Sequence, residues 1–155
     1  MWCGLLCNKV IGPFFFQQKT ITADIYLQTL TEYVAPKLEE FQPHILFQQD
    51  GAPPHWDKKV REFLDQKFSN RWIGRDGPIF WPPRSPDITP LDFFLWGYVK
   101  DIVYRTKVKD ISDLKERIIA AVNTIDDEML RKTWTEIENR LCILRATNGA
   151  HIEIY

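Results

Sequence analysis

The sequence predicts an α/β fold, with helices packed on a sheet in the order β-β-α-β-α-β-α-α-α. Three observations carry this. Short apolar runs bounded by Gly, Pro, Asn or Asp alternate with longer segments whose apolar residues recur at helical spacing. The 155 residues are 45% hydrophobic and 26% charged, enough to enclose a core and too apolar for a disordered chain. No internal repeat or low-complexity stretch interrupts the pattern, so the length fits one domain.

Trp2–Cys7 and Val10–Phe16 read as two strands of a hairpin, with Gly12-Pro13 as a bulge or kink. Thr22 to Phe41 reads as a helix capped by Thr22, with Ile25, Leu27, Leu30, Val34 and Leu38 as its apolar stripe. Pro36 inside it is expected to kink or split it. His44–Gln49 reads as a buried strand ending at Asp50, and Gly51-Ala52-Pro53-Pro54 as a turn. Asp57–Phe68 is amphipathic at helical spacing. Arg71-Trp72-Ile73 and Ile79-Phe80-Trp81 are brief strand candidates, and the prolines of 82–86 forbid a helix there. Pro90 suits the first turn of a helix running from Leu91 to Val103. Asp110 or Ser112 can cap the next helix, and Asp126-Asp127-Glu128 opens a last one that stops at Asn148-Gly149. Its residues Leu130, Trp134, Ile137, Leu141 and Leu144 are expected to form one stripe, read chiefly as core and alternatively as a partner-binding face.

Composition narrows the function classes. The longest apolar runs, Phe14–Phe16 and Leu91–Val99 (broken by Asp92), fall well short of the roughly 20 residues of a membrane span. Residues after Met1 lack the charged and small-residue features of a secretory leader, so none is expected. Three cysteines, Cys3, Cys7 and Cys142, make no disulfide framework and favour a reducing compartment. With His44, His55 and His151 scattered, a zinc site is not expected. No phosphate loop, nucleophile elbow or dinucleotide fingerprint occurs. The net charge is −1, but residues 50–109 carry 11 basic and 8 acidic groups, a local excess suited to a polyanion.

Two acids stand out. Asp50 follows directly on a strand and precedes a rigid turn, where open α/β sheets place their working groups. Asp92 opens an aromatic helix beside Phe93 and Phe94 and is expected to be semi-buried. Two such carboxylates brought together repel unless a cation bridges them, and Mg²⁺ with a phosphate substrate answers that need. On these residues alone, capping of the turn by Asp50 and of the helix by Asp92 remains the favoured account. His55 can hold a carboxylate or touch a phosphate, though a turn histidine is more often a local hydrogen-bond donor. Asp87 is an alternative ligand and also a natural turn residue.

The blocks Phe47-Gln48-Gln49-Asp50-Gly51-Ala52-Pro53-Pro54-His55 and Trp81-Pro82-Pro83-Arg84-Ser85-Pro86-Asp87-Ile88-Thr89-Pro90-Leu91-Asp92-Phe93-Phe94-Leu95-Trp96-Gly97 resemble, in order, the second-acid and third-acid blocks of Tc1/mariner-type transposases. Trp2-Cys3-Gly4 and Arg71-Trp72-Ile73-Gly74 resemble transposase-like proteins abundant in arthropod genomes, and the likeness covers nearly the whole chain. It implies an RNase H-like fold that cuts and joins DNA with two divalent metals, Mg²⁺ or Mn²⁺, held by three acids. Asp50 matches the second acid and Asp92 the third, as catalytic and metal-holding residues, with 41 residues between them. Asp87 matches the motif's non-catalytic Asp.

In the family the first acid lies on a strand upstream of Trp-Cys-Gly, and this chain opens at that point. Asp24 matches no family acid. The resemblance therefore implies an N-terminally truncated domain, with residues 1–109 as a partial RNase H-like core and 110–155 as a helical extension packing on it. It would lack the first strand, leaving an apolar edge at Trp2–Cys7. The expectation is residual DNA binding, with cleavage and strand transfer lost. Lys58, Lys59, Arg61, Arg71, Arg75, Arg84 and Lys100 are the candidate phosphate contacts. The family implies a nuclear location. Alternatives are an active metal-dependent nuclease, if an upstream segment supplies the first Asp, and an interaction module or homodimer built on the C-terminal helix.

Overall fold

The alternation of short apolar runs and helical segments is realised in a computed structural model that describes residues 1–81, 86–149 and 152. The chain divides into two units, one formed by residues 1–15 with 86–155 and the other by residues 16–85.

In the first unit, β1 (Trp2–Leu5) pairs antiparallel with β2 (Val10–Phe14). Trp2 faces Phe14 and Gly4 faces Ile11, so β2 carries one extra residue. The bulge falls at Gly12-Pro13, as the sequence suggested. Gly12 has φ 107°, and a Cβ there would come within 3.0 Å of the Trp2 carbonyl oxygen, so only glycine suits the position. β2 ends at Phe14, short of the expected Phe16.

The helices of this unit are α4 (Trp96–Val103), α5 (Ile111–Asn123) and α6 (Asp127–Ala146). Asp110 caps α5 by accepting the Asp113 N–H, and Asp126 caps α6 by accepting the Met129 N–H. Asn148 at φ 53° and the Gly149 N–H bonded to the Leu144 carbonyl close α6 in a Schellman turn. Cys3, Leu95, Val99, Val103, Ala121 and Val122 form the core of the unit. Burial pushes the Cys3 thiol up to about 11, so it behaves as a small apolar group.

The stripe on α6 is only partly as expected. Leu130 and Ile137 are buried, and Trp134 is half-buried with its indole N–H donated to the Leu6 carbonyl at 3.0 Å. Leu141 is exposed, and the buried position at the foot of the stripe is taken by Arg140.

In the second unit, α1 (Ala23–Thr29) is capped by Thr22 and runs through a π-helical turn, Leu30–Val34, into α2 (Ala35–Leu38). The expected break at Pro36 takes this form. Pro36 has no N–H to give and its ring crowds the carbonyl four residues back, and a widened turn, closed by the Ala35 N–H on the Leu30 carbonyl, lies just ahead of it. Residues 39–41 then tighten into a 3-10 turn.

A parallel sheet follows in the order β3 (Phe47–Gln48), β4 (Trp72–Gly74), β5 (Ile79–Phe80). β3 is shorter than the predicted strand, because a turn bonded from the His44 N–H to the Phe41 carbonyl occupies its start. Phe47 and Gln48 are half-buried rather than buried. Asp57 caps α3 (Lys58–Lys67), whose Val60 and Leu64 pack inward with the fully enclosed Trp72.

Candidate functional site

Asp50 stands two residues beyond the end of β3, just after Gln49, whose N–H still bonds the Ile73 carbonyl of β4 at 3.0 Å. Its Oδ1 accepts the Ala52 N–H at 3.0 Å, an Asx turn that Asp forms readily before a Pro-rich segment. The same oxygen lies 2.5 Å from His55 Nδ1. That contact has ion-pair distance without hydrogen-bond alignment. The His55 imidazole holds the Asp50 carboxyl below its usual 3.8, burial works in the opposite sense, and the Ala52 N–H adds to the lowering. Asp50 is exposed, and its Oδ2 has no partner among the described residues.

His55 is itself fixed. Its ring stacks on Tyr26 of α1 at 4.1 Å between centroids. Its carbonyl accepts the Gln49 side-chain amide at 2.6 Å, and Gln49 Oε1 accepts the Tyr26 hydroxyl at 3.0 Å. Tyr26 and Gln49 are both buried, so this is a dry polar chain from helix to strand to turn. The His55 imidazole thus stands against the Asp50 carboxylate, within its own turn. Gln49 and Tyr26 were missed by sequence reasoning. The one available signal was a glutamine in the strand directly before the acid, a place where an unpaired amide would be costly.

Asp92 belongs to the other unit. A 3-10 turn, Pro86–Ile88, leads through Thr89 into a π-helical turn, Leu91–Leu95, that opens α4. The Asp92 N–H bonds the Thr89 carbonyl at 2.9 Å, and the Phe93 N–H shares it at 3.1 Å. Buried Ile88 and Leu95 anchor the two ends of this turn. Asp92 is exposed, not semi-buried as expected, because Leu95 takes the core position and Phe93 and Phe94 are only half-buried. Asp92, Trp96, Lys100, Leu114 and Ile118 line a largely apolar groove of about 570 Å³. The Asp87 carbonyl accepts from Arg140, and its Oδ2 accepts from the Ile152 N–H.

The candidate phosphate contacts differ in their surroundings. Lys58 is exposed and 3.6 Å from Glu62, and Lys59 pairs with Asp24 at 2.7 Å. Arg61 lies 4.0 Å from Asp76. Arg75 lies over the Trp56 ring at 4.2 Å. Arg71 donates to the Ile45 carbonyl at 2.9 Å. Lys100 is exposed on α4, and Arg84 lies outside the described residues.

Both acids offer hard oxygen donors of the kind Mg²⁺ and Mn²⁺ take, and Asp50 has an oxygen to spare, so the donor chemistry fits such an ion. Among the described residues no three His, Cys, Asp or Glu side chains cluster as a ready-made metal cage.

The chain has the RNase H-like fold of transposase catalytic domains. It is similar at 20% identity and TM-score 0.81 to the Mos1 transposase catalytic domain solved with raltegravir and Mn, covering 97% of this chain and 76% of that one. The Mos1 transposase paired-end complex with the left transposon end matches with TM-score 0.76 at 21% identity, over 95% of this chain and 42% of that one. In sequence, the chain is 32% identical over 152 residues to the Tc3 transposase of Caenorhabditis elegans. That match covers 96% of this chain, which spans 44% of the length of that relative. No family model matches the sequence. Sequence and fold together support a stretch of a Tc1/mariner-type transposase catalytic domain.

Proposed function

We propose that this chain is a transposable-element-derived domain that holds DNA and a divalent cation, with Asp50 and Asp92 as the metal-holding, catalytic-type acids. The observation that supports it best is the Asp50 turn, where a dry chain of Tyr26, Gln49 and His55 holds one carboxylate oxygen and leaves the other open. A bound Mg²⁺ or Mn²⁺ would supply Lewis-acid activation of a phosphodiester. In this reading residues 1–109 are the working core and 110–155 a helical extension of it, acting in the nucleus.

Lys58, Lys59, Arg61, Arg71, Arg75, Arg84 and Lys100 supply the phosphate contacts. Such binding is electrostatic and carries little sequence preference. The 155 residues supply two of the three acids the family uses, so this polypeptide by itself holds DNA without cutting it.

The test has two arms. Fluorescence anisotropy with labelled duplexes of unrelated sequence should show similar affinities that fall steeply as salt rises. Supercoiled plasmid with Mn²⁺ should remain uncut by the chain and by its Asp50→Ala, Asp92→Ala double variant alike. Nicking by the unsubstituted chain alone would overturn the non-cutting reading in favour of a metal nuclease. Absence of salt-sensitive binding would overturn the DNA reading itself.

A further inference from the structure

Arg140 of α6 is a charged residue buried to 8% exposure, while its neighbour Leu141, expected in the apolar stripe, is exposed. Taking a guanidinium out of water is costly unless its donors are matched. Its Nε donates to Glu136 at 2.7 Å on its own helix. Its Nη1 donates to the Asp87 carbonyl at 2.8 Å, across 53 residues of sequence. Its planar face lies over the Phe93 ring at 4.3 Å. Two of these three contacts therefore grip the turn on either side of Asp92, one by its backbone and one by an aromatic ring. The Ile152 N–H adds a 3.5 Å contact to Asp87 Oδ2.

We infer that Arg140 is a positioning residue for Asp92: it clamps the Asp87–Phe93 turn from the C-terminal helix and so fixes where the Asp92 carboxylate points. The inference rests on the proposed role of Asp92 as a metal-holding acid. It gives α6 a task in the site, although no residue of that helix carries the chemistry. A lysine cannot replace the arginine here, because a single ammonium cannot give the fork of donors and also lie flat on Phe93.

The test uses the full 155-residue chain and the variants Arg140→Lys and Phe93→Leu, the second removing only the ring beneath the guanidinium. Amide hydrogen exchange should show protection of Asp92 and Phe93 falling about tenfold in Arg140→Lys and less in Phe93→Leu. Protection of Ile11 in β2 should follow only the change in global stability. In the unsubstituted chain, added Mn²⁺ should broaden the side-chain carboxyl signals of both Asp50 and Asp92. In Arg140→Lys it should keep its effect on Asp50 and lose it on Asp92. Exchange that changes equally throughout, or Mn²⁺ broadening of Asp92 that survives in Arg140→Lys, would overturn the inference. Mn²⁺ that broadens neither aspartate in the unsubstituted chain would remove the metal reading, and the exchange rates alone would then decide whether Arg140 fixes the turn.

Discussion

Around Asp50 the fixing contacts come from side chains of a helix, a strand and the turn itself, whereas around Asp92 they come from backbone hydrogen bonds and one buried guanidinium. The Asp50 turn uses Tyr26, Gln49 and His55, with hydrogen bonds from Tyr26 to Gln49 and from Gln49 to the His55 carbonyl, and an ion-pair contact from His55 to Asp50. The Asp92 turn uses the Thr89 carbonyl, the anchors Ile88 and Leu95, and Arg140 reaching in from α6. A carboxylate can thus be aimed by its own neighbours or by a frame built elsewhere in the chain. The first design is sensitive to single polar substitutions nearby, and the second to changes far along the sequence.

The largest effects should come from emptying a fully enclosed core position in each unit. Trp72→Ala and Leu95→Ala should each cost about 3–5 kcal/mol, since both side chains are fully enclosed. Urea denaturation followed by circular dichroism measures this, and a loss under about 1 kcal/mol at either site would mean that the surrounding core collapses into the space left.

Tyr26→Phe separates the two designs more sharply. It removes only a hydroxyl, leaves the buried Gln49 Oε1 without its donor, and should cost about 1–2 kcal/mol. A neutral outcome by the same denaturation assay would show that the polar chain does not stabilise the Asp50 turn.

At the Asp50 turn the pH dependence has a definite sign. Its folded pKa is depressed, so its ionised form favours the folded state. That contribution is complete above the unfolded value near 3.8 and is lost as pH falls below it through the depressed folded value. In His55→Asn the Asp50 titration, followed by carboxyl carbon shifts, should move up toward the ordinary carboxylate value. An unmoved titration would mean that His55 does not set the acidity of Asp50.

The smallest effects belong to the caps, one on each side of the comparison. Asp57→Ala at the start of α3 and Asp126→Ala at the start of α6 should each cost about 1 kcal/mol in thermal or urea unfolding. A clearly larger loss for Asp126→Ala would mean that fraying of α6 also loosens the Arg140 clamp.

Much of this layout is written locally. Asp57, Asp110 and Asp126 announce their helices because a short acidic side chain before an apolar-periodic run has few other uses. Gly12-Pro13 announces its bulge for a similar reason, and the two acid blocks are legible as sequence motifs. The clamp at Arg140 is not legible, because an arginine beside the expected stripe reads as a surface residue until its partner 53 residues upstream is known. The exposure of Asp92 was misjudged because neighbouring phenylalanines suggest burial, while the widened turn gives the core position to Leu95. The truncated start of β3 reflects a turn that begins upstream, at Phe41.

The widened turn at Leu30–Val34 has a bearing on how this chain tolerates gaps. A π-helical turn accommodates one residue more than an α-helical one while the helix on either side keeps its phase. Tyr26 ahead of it and Leu38 behind it both face inward under that arrangement. Deleting one residue within Leu30–Val34 should therefore close an ordinary helix and leave both side chains on the inner face. The same deletion inside α3, which has no such slack, would swing every later residue by about 100° and turn Leu64 outward. In an alignment, a relative with a regular helix at this place would meet this chain with a one-residue gap just ahead of Pro36.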